Sequence, residues 1–96
     1  MTKVFLMSPL YLAWQSKGLP EYARRLAEEK GKSLVTDKIS SPSPAYIRTK
    51  ALALLTEGDD VVIDGKNSEG IKLLQSDPAL TDTLRSRLHI YNNGRV

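Results

Sequence analysis

A short β-branched run in the second half of the chain constrains the fold more than any other feature. Val61, Val62 and Ile63 stand between Asp60 and Asp64, with a glycine close on either side. A continuous apolar run of this length, bounded by turn-forming residues, is typical of a strand that is buried on both faces. Such strands occur in parallel sheets covered by helices on both sides. The run therefore predicts the central strand of an α/β sheet, with Val62 almost fully buried.

Three further segments have strand patterns. Residues 3–7 form an apolar run that ends at Ser8-Pro9, residues 32–39 contain Leu34-Val35, and residues 88–91 form a last short apolar segment. Asp59 and Asp60, which precede the central run, are expected to be turn residues. The pattern therefore predicts a sheet of about four strands.

Apolar residues at helical spacing separate these strands. The apolar positions of the three helical segments are Leu19, Ala23, Leu26 and Ala27; Ile47, Ala51, Leu54 and Leu55; and Ile71 and Leu74. Ser43 and Ser68 are the expected N-caps of the second and third helices, and Asp77 that of a short fourth helix. Pro44 is expected at the first position of the second helix. Strands that alternate with helices favour right-handed crossovers and a parallel sheet. The sequence thus predicts one α/β domain over residues 1–96, a small Rossmann-like three-layer fold with a mostly parallel sheet.

The composition excludes several kinds of site. The chain has no cysteine, which removes disulfides, thiolate zinc sites and cysteine nucleophiles. The single histidine, His89, cannot supply a metal site by itself and is expected to be a strand residue. We therefore expect no metal and no cofactor.

The charge and the N-terminus bear on partners and location. The net charge is +3, from 14 Lys and Arg against 11 Asp and Glu, and the basic residues are scattered without interleaved aromatics. This pattern indicates a mildly basic surface rather than a nucleic-acid interface. The N-terminal apolar run is far shorter than the ~20 residues of a membrane span. We expect a cytoplasmic protein that contacts neither nucleic acid nor membrane.

The candidate ligand-binding residues follow the strands, because ligands of open parallel sheets bind beyond the carboxyl ends. Three places satisfy this rule: residues 8–11, 64–70 and 92–94. In the second, helix amides and Ser68 favour an anion or a hydroxyl-rich ligand, although a simple strand-to-helix turn uses the same residue types. The expected lining is Ser8, Pro9, Tyr11, Asp64, Gly65, Ser68 and Gly70.

Each polar side chain of this set has a chemical role to offer. Tyr11 gives a flat face for a base, and Asp64 can accept hydrogen bonds from ribose hydroxyls or act as an acid or base. Glu69 lies in the first helical turn, where a carboxylate stabilises the helix even without a catalytic role. No Ser-His-Asp triad can be assigned, because a triad is defined by geometry.

These motifs together resemble the nucleoside 2-deoxyribosyltransferase-like proteins, in particular their small phage- and bacterium-associated members. Residues 3–10 look like the opening strand and Ser-Pro turn of that family, and residues 46–55 look like the helix before its central strand. Residues 59–65 are similar to its Asp-led strand, and residues 68–70 to its Ser-x-Gly helix start. Residues 90–92 look like the strand whose asparagine completes a neighbour's site.

The resemblance implies a pocket for nucleosides or ADP-ribose-like ligands, and Asn92 as a residue given to a neighbouring copy. The nucleophilic glutamate of the family lies four residues after the helix glycine, and here that position is Leu74, followed by Gln75. Glycosyl transfer through a covalent intermediate needs a carboxylate at that point. The resemblance therefore implies ligand binding and not catalysis, and the catalytic residues stay unassigned.

Three functions are open on the sequence. The first is a catalytically silent nucleotide binder, such as a phage protein that sequesters a nucleotide signal or counters host defence. The second is a deoxyribosyltransferase or nucleotide N-glycosidase that uses Asp64 or Glu69. The third is a small inhibitor that binds a host protein through its surface. A core of this size also favours self-association, most simply as a homodimer.

Overall fold

The computed structural model describes residues 2–9, 18–39 and 43–91, with the backbone alone for residues 8–9 and 37–39. Strands and helices alternate along these residues: β1 Lys3–Pro9, α1 Leu19–Lys30, β2 Ser33–Ile39, α2 Pro44–Thr56, β3 Asp60–Asp64, α3 Ser68–Ser76, α4 Asp82–Arg85 and β4 Leu88–Tyr91. The predicted order is confirmed. The first strand is longer than predicted, because Ser8 and Pro9 continue β1 instead of terminating it.

All three strand pairings of the described sheet are parallel, in the order β2-β1-β3-β4. Val62 is paired with Leu6 on one side and His89 on the other, and it is 0% exposed, as the sequence predicts. The chain moves outward in one direction from β1 to β2 and in the other from β3 to β4. The sheet therefore has its topological switch point between the carboxyl ends of β1 and β3.

Each face of the sheet has its own hydrophobic core. On one face α1 covers β1 and β3 in a cluster of Val4, Leu6, Leu19, Ala23, Ala27, Val62 and Tyr91. On the other face α2 and α3 cover the sheet in a larger cluster that includes Phe5, Met7, Ile47, Leu55, Val61, Ile63 and Leu74. Full burial of a Val, Leu or Ile side chain stabilises a fold by roughly 1.5–3 kcal/mol. These two clusters make the protein the predicted three-layer α/β domain.

The caps of the helices agree only in part with the sequence prediction. The Ser43 side chain accepts a hydrogen bond from the Tyr46 amide at 3.1 Å, and Pro44 begins α2, as predicted. Ser68 is wrong as an N-cap: it is the first helical residue of α3, and Asn67 holds the cap position.

The cap assigned to the fourth helix was also wrong. Thr81, not Asp77, caps α4, with its hydroxyl accepting from the Leu84 amide. Asp77 accepts from the Ala79 amide at 2.9 Å in the turn before that helix. In both wrong assignments another polar residue within four positions takes the cap position instead.

Asp60 is not the turn residue that the sequence predicts. It is the first residue of β3 and is fully buried, and its carboxylate lies 2.5 Å from Lys32 Nζ, 2.6 Å from Lys30 Nζ and 2.8 Å from His89 Nε2. Burial by itself raises the pKa of the Asp60 carboxyl, but the hydrogen bonds from Lys30, Lys32 and His89 outweigh it and hold the pKa at about 2. The cluster of these four residues, the amino-edge cluster, joins the end of α1, the connection before β2, and strands β3 and β4.

Asp59, next to it, is buried as well. Its carboxylate accepts from the backbone amide of Lys3 at 2.9 Å and from Lys3 Nζ at 2.7 Å, which ties the start of β1 to the start of β3. Burial opposes ionisation of Asp59, and the bonds from Lys3 more than offset it, so the pKa of that carboxyl is lowered. Both aspartates therefore stabilise the edge of the sheet where the strands begin, opposite the carboxyl ends at which ligands are expected to bind.

None of the helices within residues 18–39 and 43–91 is both long enough and apolar enough to cross a membrane.

Candidate ligand-binding site

The first turns of α2 and α3 meet at the carboxyl edge of the sheet. In a parallel α/β unit each helix starts near the carboxyl end of the strand before it, so both helix N-termini lie at this edge. A cleft of about 280 Å³ lies between them, here called the polar cleft. Its lining is Pro44 and Ile47 from α2, Lys66 and Asn67 from the loop before α3, and Ser68, Glu69 and Gly70 from the first turn of α3.

The electrostatics of the polar cleft favour an anion. The first backbone N–H groups of a helix have no partner within the helix, and the aligned peptide dipoles place partial positive charge there. The exposed Lys66 adds a full positive charge beside these groups, and the exposed Ser68 adds a hydroxyl. Among the lining residues only Glu69 carries negative charge.

Gly70 allows α2 and α3 to approach each other. A Cβ atom at Gly70 would stand 2.8 Å from Ile47 Cδ1 and 3.0 Å from Ile47 Cβ and Cγ2, closer than side chains tolerate. The sequence predicts a close backbone approach at Gly70, and the group that approaches is a helix side chain. The missing side chain therefore sets the separation of the two helices that form the polar cleft.

Asp64 organises the loop between β3 and α3. Its side chain is fully buried, and Oδ1 accepts from the Lys66 amide at 3.0 Å. The Asn67 amide donates to the Asp64 carbonyl at 3.0 Å, and the Gly65 amide donates to the Tyr91 carbonyl at 2.8 Å. Neither Asp64 nor Gly65 lines the polar cleft. The expected contact of Asp64 with ribose stays a prediction, and it requires the buried carboxylate to become accessible.

The structure brings together only part of the predicted set. Ser68 and Gly70 line the polar cleft, while Ser8 and Pro9 are the last residues of β1, the strand beside β3. Tyr11 and Asn92 lie outside the described residues.

The contribution of α2 to the polar cleft was missed by the sequence reasoning. Pro44 was assigned as a first-turn residue and Ile47 as a core residue, and both also line the cleft. The available signal was that α2, like α3, starts just after a strand and therefore begins at the same edge of the sheet.

A second cavity adjoins the polar cleft. It measures about 420 Å³ and is lined by Pro44, Glu69, Lys72, Leu73 and Ser76. We call it the apolar groove. It shares Pro44 and Glu69 with the polar cleft, so the two form one continuous depression along α3.

A third cavity, of about 300 Å³, lies on the other face of the sheet beside α1. Its lining includes Tyr22 and Tyr91, whose ring centroids are 5.1 Å apart, and Gly18, where a Cβ atom would meet the Tyr91 hydroxyl at 2.7 Å. Burial raises the pKa of the Tyr22 hydroxyl. The two rings mainly pack against each other across α1 and β4.

The described residues offer little for covalent catalysis. Leu74, at the position that the family resemblance gives to the nucleophile, is 0% exposed and belongs to the core beneath α2 and α3. Glu69 is the one carboxylate that lines the polar cleft and the apolar groove. No group of three or more His, Asp and Glu residues in the described part of the chain could hold a metal ion.

No family model, curated protein or solved structure matches this sequence. The likeness to the nucleoside 2-deoxyribosyltransferase-like proteins thus depends on short motifs alone, and the function has to be argued from the geometry.

Proposed function

We propose that the protein binds a nucleoside- or nucleotide-like ligand in the polar cleft and does not transform it. The observation that carries the proposal is the meeting of two helix N-termini with Lys66 at the carboxyl edge of the sheet, beside the loop that follows β3. Such edges are where open α/β sheets bind ligands, and helix N-termini favour phosphate. A binder without a nucleophile would sequester a nucleotide signal rather than consume it.

The lining assigns a role to each part of the ligand. The amides of the first α3 turn and the Lys66 ammonium would bind a phosphate or another anionic group. The Glu69 carboxylate accepts hydrogen bonds only, so it suits sugar hydroxyls and disfavours a second anionic group beside it. A hydrogen bond to a charged group contributes about 1.5–3 kcal/mol.

Calorimetric titration tests the proposal with inorganic phosphate, ribose 5-phosphate, nucleosides, nucleoside 5′-monophosphates and ADP-ribose. Lys66→Ala should weaken binding of the phosphorylated ligands about tenfold, the factor for the loss of ~1.4 kcal/mol. Arg85→Ala is the matched control, because Arg85 is an exposed cation at the far end of α4. The proposal fails if no compound of the panel binds, or if Lys66→Ala binds as Arg85→Ala does.

The same panel decides between binding and catalysis. Incubation with nucleosides and their monophosphates should leave the glycosidic bond intact, because Leu74 provides no nucleophile. Release of free base, measured by chromatography, would contradict the silent-binder proposal. Loss of that release in Glu69→Gln would then identify Glu69 as the catalytic carboxylate.

We also propose that the chain forms a homodimer. What supports this is the edge strand β2, where Leu34 and Val35 are 38% and 37% exposed and belong to opposite faces of the sheet. Apolar edge strands tend to pair with another strand. Light scattering should give twice the chain mass, and Val35→Lys should reduce it. A monomer at high concentration would contradict the proposal. Asn92 could then not complete the ligand site of a neighbouring copy, as the family resemblance implies.

A further inference from the structure

The outer face of α3 carries an apolar surface that the core does not use. Glu69, Lys72, Leu73 and Ser76 are spaced three and four residues apart, so they share one side of the helix, opposite Pro44. Leu73 is 44% exposed, although the adjacent Leu74 is fully buried. Packing in the core therefore explains the leucine at position 74 but not the one at position 73. Among the described residues, no element of the protein covers the apolar groove.

The apolar groove continues from the polar cleft without a barrier. Pro44 and Glu69 belong to both linings, one on each helix. Leu73 lies four residues beyond Glu69, which is about 6 Å along the helix axis. A molecule held at the first turn of α3 can thus reach Leu73 if it extends by about the length of a sugar ring.

The two halves of the depression differ in chemistry. The polar cleft offers Lys66, Ser68 and helix amides, while the apolar groove offers the Pro44 ring and the Leu73 side chain, with Lys72 beside them. A ligand complementary to both has an anionic group at one end and a flat apolar group at the other, with hydroxyls between them near Glu69. A nucleoside 5′-monophosphate has this order of groups.

Building on the proposed function, we infer that the ligand is a nucleoside 5′-monophosphate that lies along α3. Its phosphate contacts the first turn of α3 and Lys66, its ribose faces Glu69, and its base packs in the apolar groove against Leu73 and Pro44. In this orientation the polar cleft binds the phosphate and the apolar groove binds the base. A free sugar phosphate would occupy only the first half.

Ligand truncation combined with substitution tests the orientation by calorimetry. The probes are the four ribonucleoside 5′-monophosphates and ribose 5-phosphate, which lacks the base. The best monophosphate should bind about tenfold more tightly than ribose 5-phosphate, since the base buries apolar surface on Leu73. Leu73→Asn should remove that advantage and leave ribose 5-phosphate binding unchanged. Gln75→Asn is the control, because Gln75 is an exposed residue of the same helix that lines neither cavity.

A second readout comes from the Leu73 methyl groups in NMR spectra. Ring currents of the base should shift these methyl signals on addition of the best monophosphate, and ribose 5-phosphate should leave them in place. The inference is overturned if ribose 5-phosphate binds as tightly as every monophosphate, or if Leu73→Asn behaves as Gln75→Asn does. In those cases the proposed function stands, because a phosphate ligand still binds. If neither class of probe binds, the inference fails, and the proposed function fails with it unless a nucleoside or ADP-ribose binds.

Discussion

Replacing Asp60 by asparagine tests the amino-edge cluster. The fully buried carboxylate receives bonds from Lys30, Lys32 and His89 at 2.5 to 2.8 Å. Asparagine preserves the volume of the side chain but removes the charge. It also places an NH₂ group where an acceptor oxygen stood, so at least one of the three donors faces another donor. The substitution therefore removes charge pairing and hydrogen bonding together.

The size of the effect follows from the pKa of Asp60. The fall from the ordinary value of 3.8 to about 2 corresponds to about 2.5 kcal/mol at neutral pH. The side chains of Lys30 and Lys32 are 35% and 17% exposed, so solvent screening reduces this contribution to roughly 1–2 kcal/mol. The mismatched donor adds about 1 kcal/mol. We expect Asp60→Asn to lower the free energy of unfolding by about 2–3 kcal/mol at pH 7.

The pH dependence gives the sharper check. Because the pKa of Asp60 is lower in the folded protein, its stabilisation is complete above about pH 4 and is lost as the pH falls toward 2. Urea unfolding followed by circular dichroism should show the parent and Asp60→Asn converging, with roughly half of the electrostatic part gone by pH 3. Asp82→Asn, at an exposed position, should stay within about 0.5 kcal/mol of the parent. An equal difference between parent and Asp60→Asn at pH 7 and pH 3 would refute the reasoning.

Two further substitutions test the helices that form the polar cleft, both measured by urea unfolding. Gly70→Ala should cost about 1–3 kcal/mol, because the new methyl group meets Ile47 at 2.8 Å, and Ile47→Val should recover part of that cost by removing the nearest atom. If Gly70→Ala lowers the free energy of unfolding by the same amount with and without Ile47→Val, the predicted contact with Ile47 is contradicted. Ser43→Ala should cost about 1 kcal/mol through loss of the bond from the Tyr46 amide, whereas Ser43→Asp should retain most of the stability. Equal losses in both Ser43 variants would rule out the cap.

The polar cleft was only partly predictable from the sequence. Ser68 and Gly70 were identified because they follow a strand, and that position alone places them at the ligand edge. Pro44 and Ile47 were not, because their presence in the cleft depends on the packing of α2 against α3. Asp64 was assigned to the ligand, yet its buried carboxylate accepts from the Lys66 amide. Sequence position identifies the edge, and burial decides which side chains are accessible there.

The sequence by itself determined the elements and the class of fold. The apolar run of β3, the helical spacing and the cap at Ser43 act between residues at most a few positions apart, so local patterns suffice to identify them. The caps at Ser68 and Asp77 were wrong for the same reason, since another polar residue within four positions of each is an equally good cap by local pattern alone. The alternation of elements then restricts the sheet to parallel pairing.

Only the tertiary structure decided what Asp60 and Gly70 do. Asp60 is buried as a charge because Lys30, Lys32 and His89, each about 30 positions away in the chain, converge on it from α1, from the connection before β2 and from β4. Gly70 is confined by Ile47 of another helix. Contacts of this range depend on strand order and on the packing of helices against the sheet. Many side chains set that packing jointly through their shape and burial, so no short pattern of residues encodes it.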